Sequence, residues 1–389
     1  MPNRQLTCKY GLIGDELELK SDISIEIDQE GHISNLEFND APTEIQLIKN
    51  KGTNLLIPGL INSHVHIGDS FAKEMGFNRY LDEIVSPPNG LKHQLLNDIS
   101  DDIKIEGVKK AAIEMISNGI TYFMDFRERG LEGIDLLNNA LKSFALKYQI
   151  FGRFNHSNEI ETIFKSADGI GLASYKQLPI HIKNILKENK NRFGKKINCH
   201  CAESKRNEEL ITEIFSDGLV DVIIHGTHFQ RRDLEMMKKR NISLVLCPRS
   251  NGYFGVGFPP IQEILKLKIP ISLGTDNIMA NSPDLFEEMR YLYRINRVLA
   301  RNSNQILLSA KQLLKMVTIN AARIFEINKI VGSILEGKDA DFFFINLNDP
   351  NYYSFELNSE RIYPLVIQRT KSENIKKIYI KGEKIFERK

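Results

Sequence analysis

Long apolar runs are missing from this chain. The longest, such as ISLVLC (242–247) and VDVII (220–224), fall far short of the ~20 residues that a bilayer-crossing helix needs. The opening segment MPNRQLTCKY carries no apolar signal core, so the expectation is a cytoplasmic protein without a membrane partner. Cysteine is scarce: Cys8, Cys199, Cys201 and Cys247 form no C-x-x-C pair and no small-domain disulfide pattern, which suits a reducing compartment. Cys199 and Cys201 flank His200, and on a strand both thiols would point away from the face His200 uses, so they read as packing residues. An excess of one charge is also lacking. The 52 Lys and Arg against 50 Asp and Glu leave a net charge of +2 over 389 residues, which argues against nucleic acid as a partner. P-C-x-x-C, the mark of nucleic-acid-editing deaminases, does not occur, nor does the H-E-x-x-H of zinc peptidases. No internal repeat or low-complexity tract stands out.

What is present is ordinary globular material, 42% hydrophobic and 26% charged, in a chain long enough to bury a large core. Both ends are β-rich. Near the start, LELKSDISIEID and ISNLEF alternate around the turn QEGH, and near the end DADFFFINL and IKKIYIKGEKIF do the same, the latter hinged at Lys381-Gly382. Between them, short apolar strands alternate with amphipathic helical segments. The strands are LINSHVH, ITYFMDF, YQIFGRF, GIGLAS, KINCHCA, VDVIIHG, ISLVLCP and ISLGTD. Gly119 marks a helix end, and Ser282-Pro283 a helix start. Eight alternations predict an α/β fold, a (β/α)8 TIM barrel over residues 58–330. The terminal segments, 1–57 and 331–389, are each too short for a core and are expected to join in one small β-sandwich domain.

Side chains two apart on a strand share a face, so His64 and His66 in PGLINSHVH could hold one metal ion, although a solvated surface strand explains an isolated pair equally well. The other strand ends decide the matter. Strand five ends with His200 and Glu203 in HCAE, strand six with His225 in IIHGTH and strand eight with Asp276 in SLGTDN. Each alone reads as a core histidine or a turn cap. Together, at the end of a barrel where active sites form, they point to metal binding.

The segments PGLINSHVH, HCAES, IIHG, CPRSN, SLGTDN and VGSILEGKDADFFFI resemble the amidohydrolase superfamily, in its cytosine-deaminase-like, guanine-deaminase-like and chlorohydrolase-like branch. The likeness runs from about Ile57 to the C-terminus with the strand order intact. It implies that His64, His66, His200 and Asp276 bind one divalent metal, with zinc as the default and iron or manganese fitting the same residues. It further implies that Glu203, His225 and Asp276 are catalytic: Asp276 takes a proton from the metal-activated water, His225 directs it, and Glu203 protonates a ring nitrogen and then the leaving amine. Relatives that open cyclic amides use two metals bridged by a lysine ending strand four. Here GIGLAS has none, and Lys176 lies beyond it.

The resulting expectation is a hydrolase, an aminohydrolase (deaminase) releasing ammonia from a small nitrogen heterocycle such as a purine, pyrimidine, pterin or nucleoside-like metabolite. The alternative is hydrolysis of another C–N or C–Cl bond by the same site, as in an amidase or chlorohydrolase. A non-enzymatic scaffold would be marked by lost ligands, and none is missing. Relatives of this kind commonly form homodimers. Candidate substrate contacts are Arg127 and Arg129 after strand two, Arg153, Asn155 and His156 after strand three, and Arg249 and Asn251 after strand seven. The loop after strand one lacks the tryptophan expected of better-known relatives, for the chain has none. It offers the turn Pro87-Pro88-Asn89-Gly90 and then Lys92 and His93, which are read as contacts from a lid. His228 is read as a surface or pocket-edge residue.

Overall fold

The computed structural model describes residues 4–42, 44–45, 54–176, 178–302, 305–354 and 357–388. Two sheets organise them. The terminal segments supply β1 (Arg4–Ile13), β2 (Glu18–Ile27), β3 (Ile33–Asp40) and β4 (Asn54–Pro58). The central segment supplies β5 (Leu60–His66), β6 (Ile120–Arg127), β7 (Lys147–Gly152), β8 (Gly169–Leu172), β9 (Lys196–Cys201), β10 (Val222–His225), β11 (Ser243–Leu246), β12 (Ile271–Leu273) and β13 (Asp276–Asn277). The C-terminal segment adds β14 (Phe342–Asn346), β15 (Ile375–Ile380) and β16 (Glu383–Glu387).

The central nine strands form one curled parallel sheet in the order β12-β11-β10-β9-β8-β7-β6-β5-β13. Parallel strands require crossovers, and helices such as Asp101–Ser117, Gly130–Leu141 and Ile180–Phe193 supply them. With helices outside and side chains inside, every residue of β5 is buried, as expected for a sheet covered on both faces. The curl has a local cause. β12 runs through Gly274 and Thr275 into β13, whose Asp276 pairs with Val65 of β5. A Cβ at Gly274 would stand 2.6 Å from the Cβ of His64, so only glycine admits this approach. The expected eighth strand ISLGTD is therefore split at that glycine.

The two ends of the chain share the second sheet, ordered β16-β15-β14-β4-β1-β2-β3. Its joint is the antiparallel pairing of β4 with β14, Ile57 opposite Phe343 and Leu55 opposite Ile345. Alternation gives this sheet two apolar faces. Phe342 and Phe344 pack with Ile13, Ile23, Ile25 and Tyr379, while Phe343 and Ile345 join the main core beneath the helices. At the Lys381-Gly382 hinge both residues have positive φ, 50° and 72°. Cys199 and Cys201 are buried as packing residues. Among the described residues no helix is long and apolar enough to cross a membrane.

One helix boundary differs from expectation. The helix Leu285–Leu299 is capped by Asp284, whose carboxylate accepts from the Phe286 and Glu287 amides, and not by Ser282-Pro283. An aspartate with two free amides ahead of it outcompetes the upstream serine. On the same helix Glu288 is fully buried, 3.5 Å from Arg249, and burial pushes its carboxyl up to about 8.

Two outcomes follow from this packing. Phe343 has no exposed surface and its ring meets Phe286 edge to face, so Phe343→Ala should lower unfolding free energy by about 3–5 kcal/mol, read from the denaturant midpoint. Between the ordinary carboxyl value and about 8, native Glu288 keeps a proton that the unfolded chain has lost, so its contribution to stability falls as pH rises through that window. Glu288→Gln removes this slope. Denaturation at pH 5 and pH 8 should show the wild type losing stability relative to the variant, and parallel changes would contradict the assignment.

Candidate active site

Strand ends aim the site's side chains. His64 and His66 occupy alternate positions of β5, His200 is the penultimate residue of β9, His225 closes β10, Asp276 opens β13 and Glu203 lies just past β9. The backbone turns sharply around them: Ala202, His225 and Asp276 have φ of 52°, 74° and 60°. Side chains rarely tolerate positive φ, and such strain gathers where function overrides it.

The functional atoms converge closely. His64 Nε2 lies 3.2 Å from Asp276 Oδ1 and 3.2 Å from His200 Nε2, and His66 Nε2 lies 3.5 Å from Asp276 Oδ1. His225 Nε2 stands 3.5 Å from Glu203 Oε1 and 3.9 Å from Asp276 Oδ2. One ligand atom each from His64, His200, His225 and Asp276 fall within 4.8 Å of one another.

Partners behind the site set the proton positions. His66 Nδ1 donates to Phe126 O at 3.0 Å, and Glu128 Oε1 stands 2.8 Å from the same nitrogen. His200 Nδ1 donates to Leu172 O at 3.0 Å, and His225 Nδ1 to Asn251 Oδ1 at 3.0 Å. Each of these rings therefore turns an unprotonated Nε2 inward. Ser250 Oγ donates to Asp276 Oδ2 at 2.6 Å. Burial, ahead of neighbouring charges, drives the histidines neutral: His64 and His200 fall below the usual imidazole range and His66 falls to about 3. Burial pushes Asp276 upward, but the hydrogen bond from His64 leads the opposing influences, which hold the carboxyl well below its usual range. Glu203 moves the other way, raised by burial and by Asp276 against the opposing pull of His225.

These groups fit a divalent cation. The inward lone pair of His200 faces His64 Nε2 at 3.2 Å, and His64 Nδ1 is buried without a partner, as is His225 Nε2. Neutral imidazole nitrogens gathered this closely beside a carboxylate make a donor set that a divalent cation would complete.

A cavity of about 490 Å³ opens over this centre, lined by His66, His200, Glu203, His225 and Asp276 together with Lys92, Arg153, Ser174 and Lys176. A larger hollow of about 990 Å³ beside Leu19, Tyr293 and Tyr363 carries none of these groups. Of the expected substrate contacts, only Lys92 and Arg153 line the cavity over the site. Arg127 is buried against Asp125 and Glu128. Arg129 pairs with Asp101 and Glu132, and Arg249 binds Ser282 and faces Glu288. Asn155 and His156 are exposed on the turn held by Glu159. His93 bonds Val85 O at 3.1 Å, and Asn251 acts behind His225. His228 is half-buried outside the cavity lining.

Sequence reasoning passed over Glu128, which is 3% exposed and in contact with His66. Lying between Arg127 and Arg129, it resembles a solvated charge run. The available signal was spacing, since Glu128, just past β6, follows two residues after Phe126, whose ring lies 4.3 Å from that of His64.

Known proteins resemble the whole chain. An uncharacterised protein of Methanocaldococcus jannaschii is 39% identical over 354 residues, 86% of this chain and 88% of its own length. The 5'-deoxyadenosine deaminase of Methanococcus vannielii is 28% identical over 367 residues, 85% of this chain and 84% of its own. The solved structure of a zinc-bound adenosine deaminase from Xanthomonas campestris shares the fold, with a TM-score of 0.78 at 17% identity, covering 98% of this chain and 92% of that one. The amidohydrolase family model matches residues 55–385, a span that includes every residue of the centre, and the chain belongs to the amidohydrolase family.

Proposed function

We propose that this protein is a metal-dependent aminohydrolase that releases ammonia from a small nitrogen heterocycle, adenosine-like nucleosides foremost. The observation that carries this reading is the convergence of three inward imidazole nitrogens and the Asp276 carboxylate beside Glu203, at the floor of one cavity. The 5'-deoxyadenosine deaminase relative supports the substrate class. In this reading the curled sheet over 58–330 is a (β/α)8 barrel, and segments 1–57 and 331–389 form a β-sandwich domain. Packing of β1 and β2 residues against β14 and β15 residues in one cluster supports the sandwich; residues 46–53 of that domain lie outside the described residues. Four unpaired cysteines favour a reducing compartment.

His64, His66, His200 and Asp276 would hold the ion, zinc by preference for a nitrogen-rich set, with iron or manganese compatible. When bound, such an ion supplies the Lewis acidity that ionises water near neutral pH. Asp276 takes the proton of the attacking water. His225, its Nδ1 proton fixed on Asn251, presents Nε2 as an acceptor that aims the water. Glu203, biased towards its protonated form, gives a proton to the ring nitrogen beside the attacked carbon. The same carboxylate then takes the proton of the added hydroxyl and passes it to the amine as the C–N bond breaks, leaving ammonia and a ring carbonyl, and the proton held by Asp276 returns to Glu203. Arg153, its Nε buried without a partner and its NH1 3.8 Å from Glu128, offers a guanidinium fork to an oxygen-rich part of the substrate.

Two experiments check this reading. Purified protein of measured metal content should release ammonia from at least one aminopurine, aminopyrimidine, pterin or nucleoside. Halide or a new carboxylate appearing without ammonia would overturn the deaminase reading. Glu203→Gln should keep metal and melting temperature while kcat falls by about 10²–10⁴; turnover close to wild type would remove Glu203 from the proton path.

A further inference from the structure

We propose that Glu128 and Lys92 form a positioning pair that strengthens His66 as a metal ligand and couples that strength to the segment walling the cavity. The inference rests on the reading of His66 as a ligand. Glu128 follows directly on β6, and its Oε1 lies 2.8 Å from His66 Nδ1 and 2.6 Å from Lys92 Nζ, while Oε2 lies 3.3 Å from Arg127. His66 is the only imidazole of the centre backed by a carboxylate among the described residues. The Nδ1 of His200 meets a backbone carbonyl, that of His225 meets an amide oxygen, and that of His64 meets nothing.

A carboxylate set close against the Nδ1–H stabilises the proton there, shifts electron density towards Nε2 and makes the ring a stronger donor. Phe126 O, at 3.0 Å, already orients the ring. What Glu128 adds is charge. A carboxylate this deeply buried requires a counter-ion, and Lys92, itself 2% exposed, provides it from the helix Leu91–Asp98. That helix belongs to the stretch after β5 whose Asp82, Ser86 and Pro87 wall the cavity. Lys92 also stands 3.6 Å from Asp69, which accepts from Asn277 Nδ2 at 2.7 Å, beside Asp276. The pair thus reaches from the cavity wall to the residues at the metal position. Lys92, expected from the sequence as a substrate contact, lines the cavity while engaged in this pairing.

The test is the zinc dissociation constant, measured by chelator competition on purified apo-protein, for wild type, E128Q, K92M, the double variant K92M/E128Q and H66N. E128Q should weaken zinc binding about 10–100-fold. K92M should weaken it too, and the double variant should lose no more than E128Q alone, because Lys92 acts through Glu128. A merely structural role predicts additive losses, and additivity overturns the proposal, as does E128Q binding within about twofold of wild type. Should a single variant fail to fold, the double variant, which strands neither partner's charge, decides: wild-type affinity there overturns the inference. H66N separates the layers. If it keeps wild-type affinity, His66 is no ligand and the reading beneath falls; if H66N loses zinc while E128Q does not, only this inference falls.

Discussion

Convergence of imidazole nitrogens on one buried carboxylate at the centre of the curled sheet governs the rest of this structure. His64 Nε2 stands 3.2 Å from both Asp276 Oδ1 and His200 Nε2, and His66 Nε2 stands 3.5 Å from Asp276 Oδ1, with His64, His66 and Asp276 buried. Burial, ahead of neighbouring charges, lowers the imidazoles' hold on an extra proton, so they meet the carboxylate as neutral groups suited to a divalent cation. The fold holds the groups in that crowded state. Helix and strand packing, distributed over a large apolar core, fixes the strand ends from which the four side chains project.

Several features exist to maintain that crowding. Gly274 lets the last strand close on β5 within a distance no side chain would permit. The positive φ at His225 and Asp276 turns two side chains inward at the positions where their strands end or begin. Hydrogen bonds to Leu172, Phe126 and Asn251 fix each ring's protonation so that a lone pair and not a proton faces the centre. Glu203, beside this centre but not among its closest contacts, experiences the opposite field from Asp276 and is pushed towards holding a proton. One environment therefore sets two carboxylates to opposite tasks.

Much of this was legible in the residues. Imidazoles and carboxylates are out of place at the ends of apolar strands, so His64, His66, His200, His225 and Asp276 stood out, and the strand alternation located β5 through β11 closely. The joining of both chain ends in one sheet was readable because neither end could bury a core alone. The splitting of the last strand was hidden, since Gly274 reveals its purpose only against His64. The polar surroundings were harder to read. Arginines after β6 and β11 looked like substrate forks; Arg127 contacts Asp125 and Glu128, and Arg249 contacts Ser282 and Glu288. Glu128 went unnoticed because its partners, His66 and Lys92, are distant in the chain. Pairings of that kind are settled by tertiary packing, which no local period records.

The central claim is that these side chains share one ion. Diffraction from crystals of the metal-loaded protein, recorded across the zinc absorption edge, tests it most directly. The account predicts a single anomalous peak per chain, within bonding distance of His64, His66, His200 and Asp276. A peak held by other residues, or a centre that stays without one in zinc-saturated protein, would contradict it.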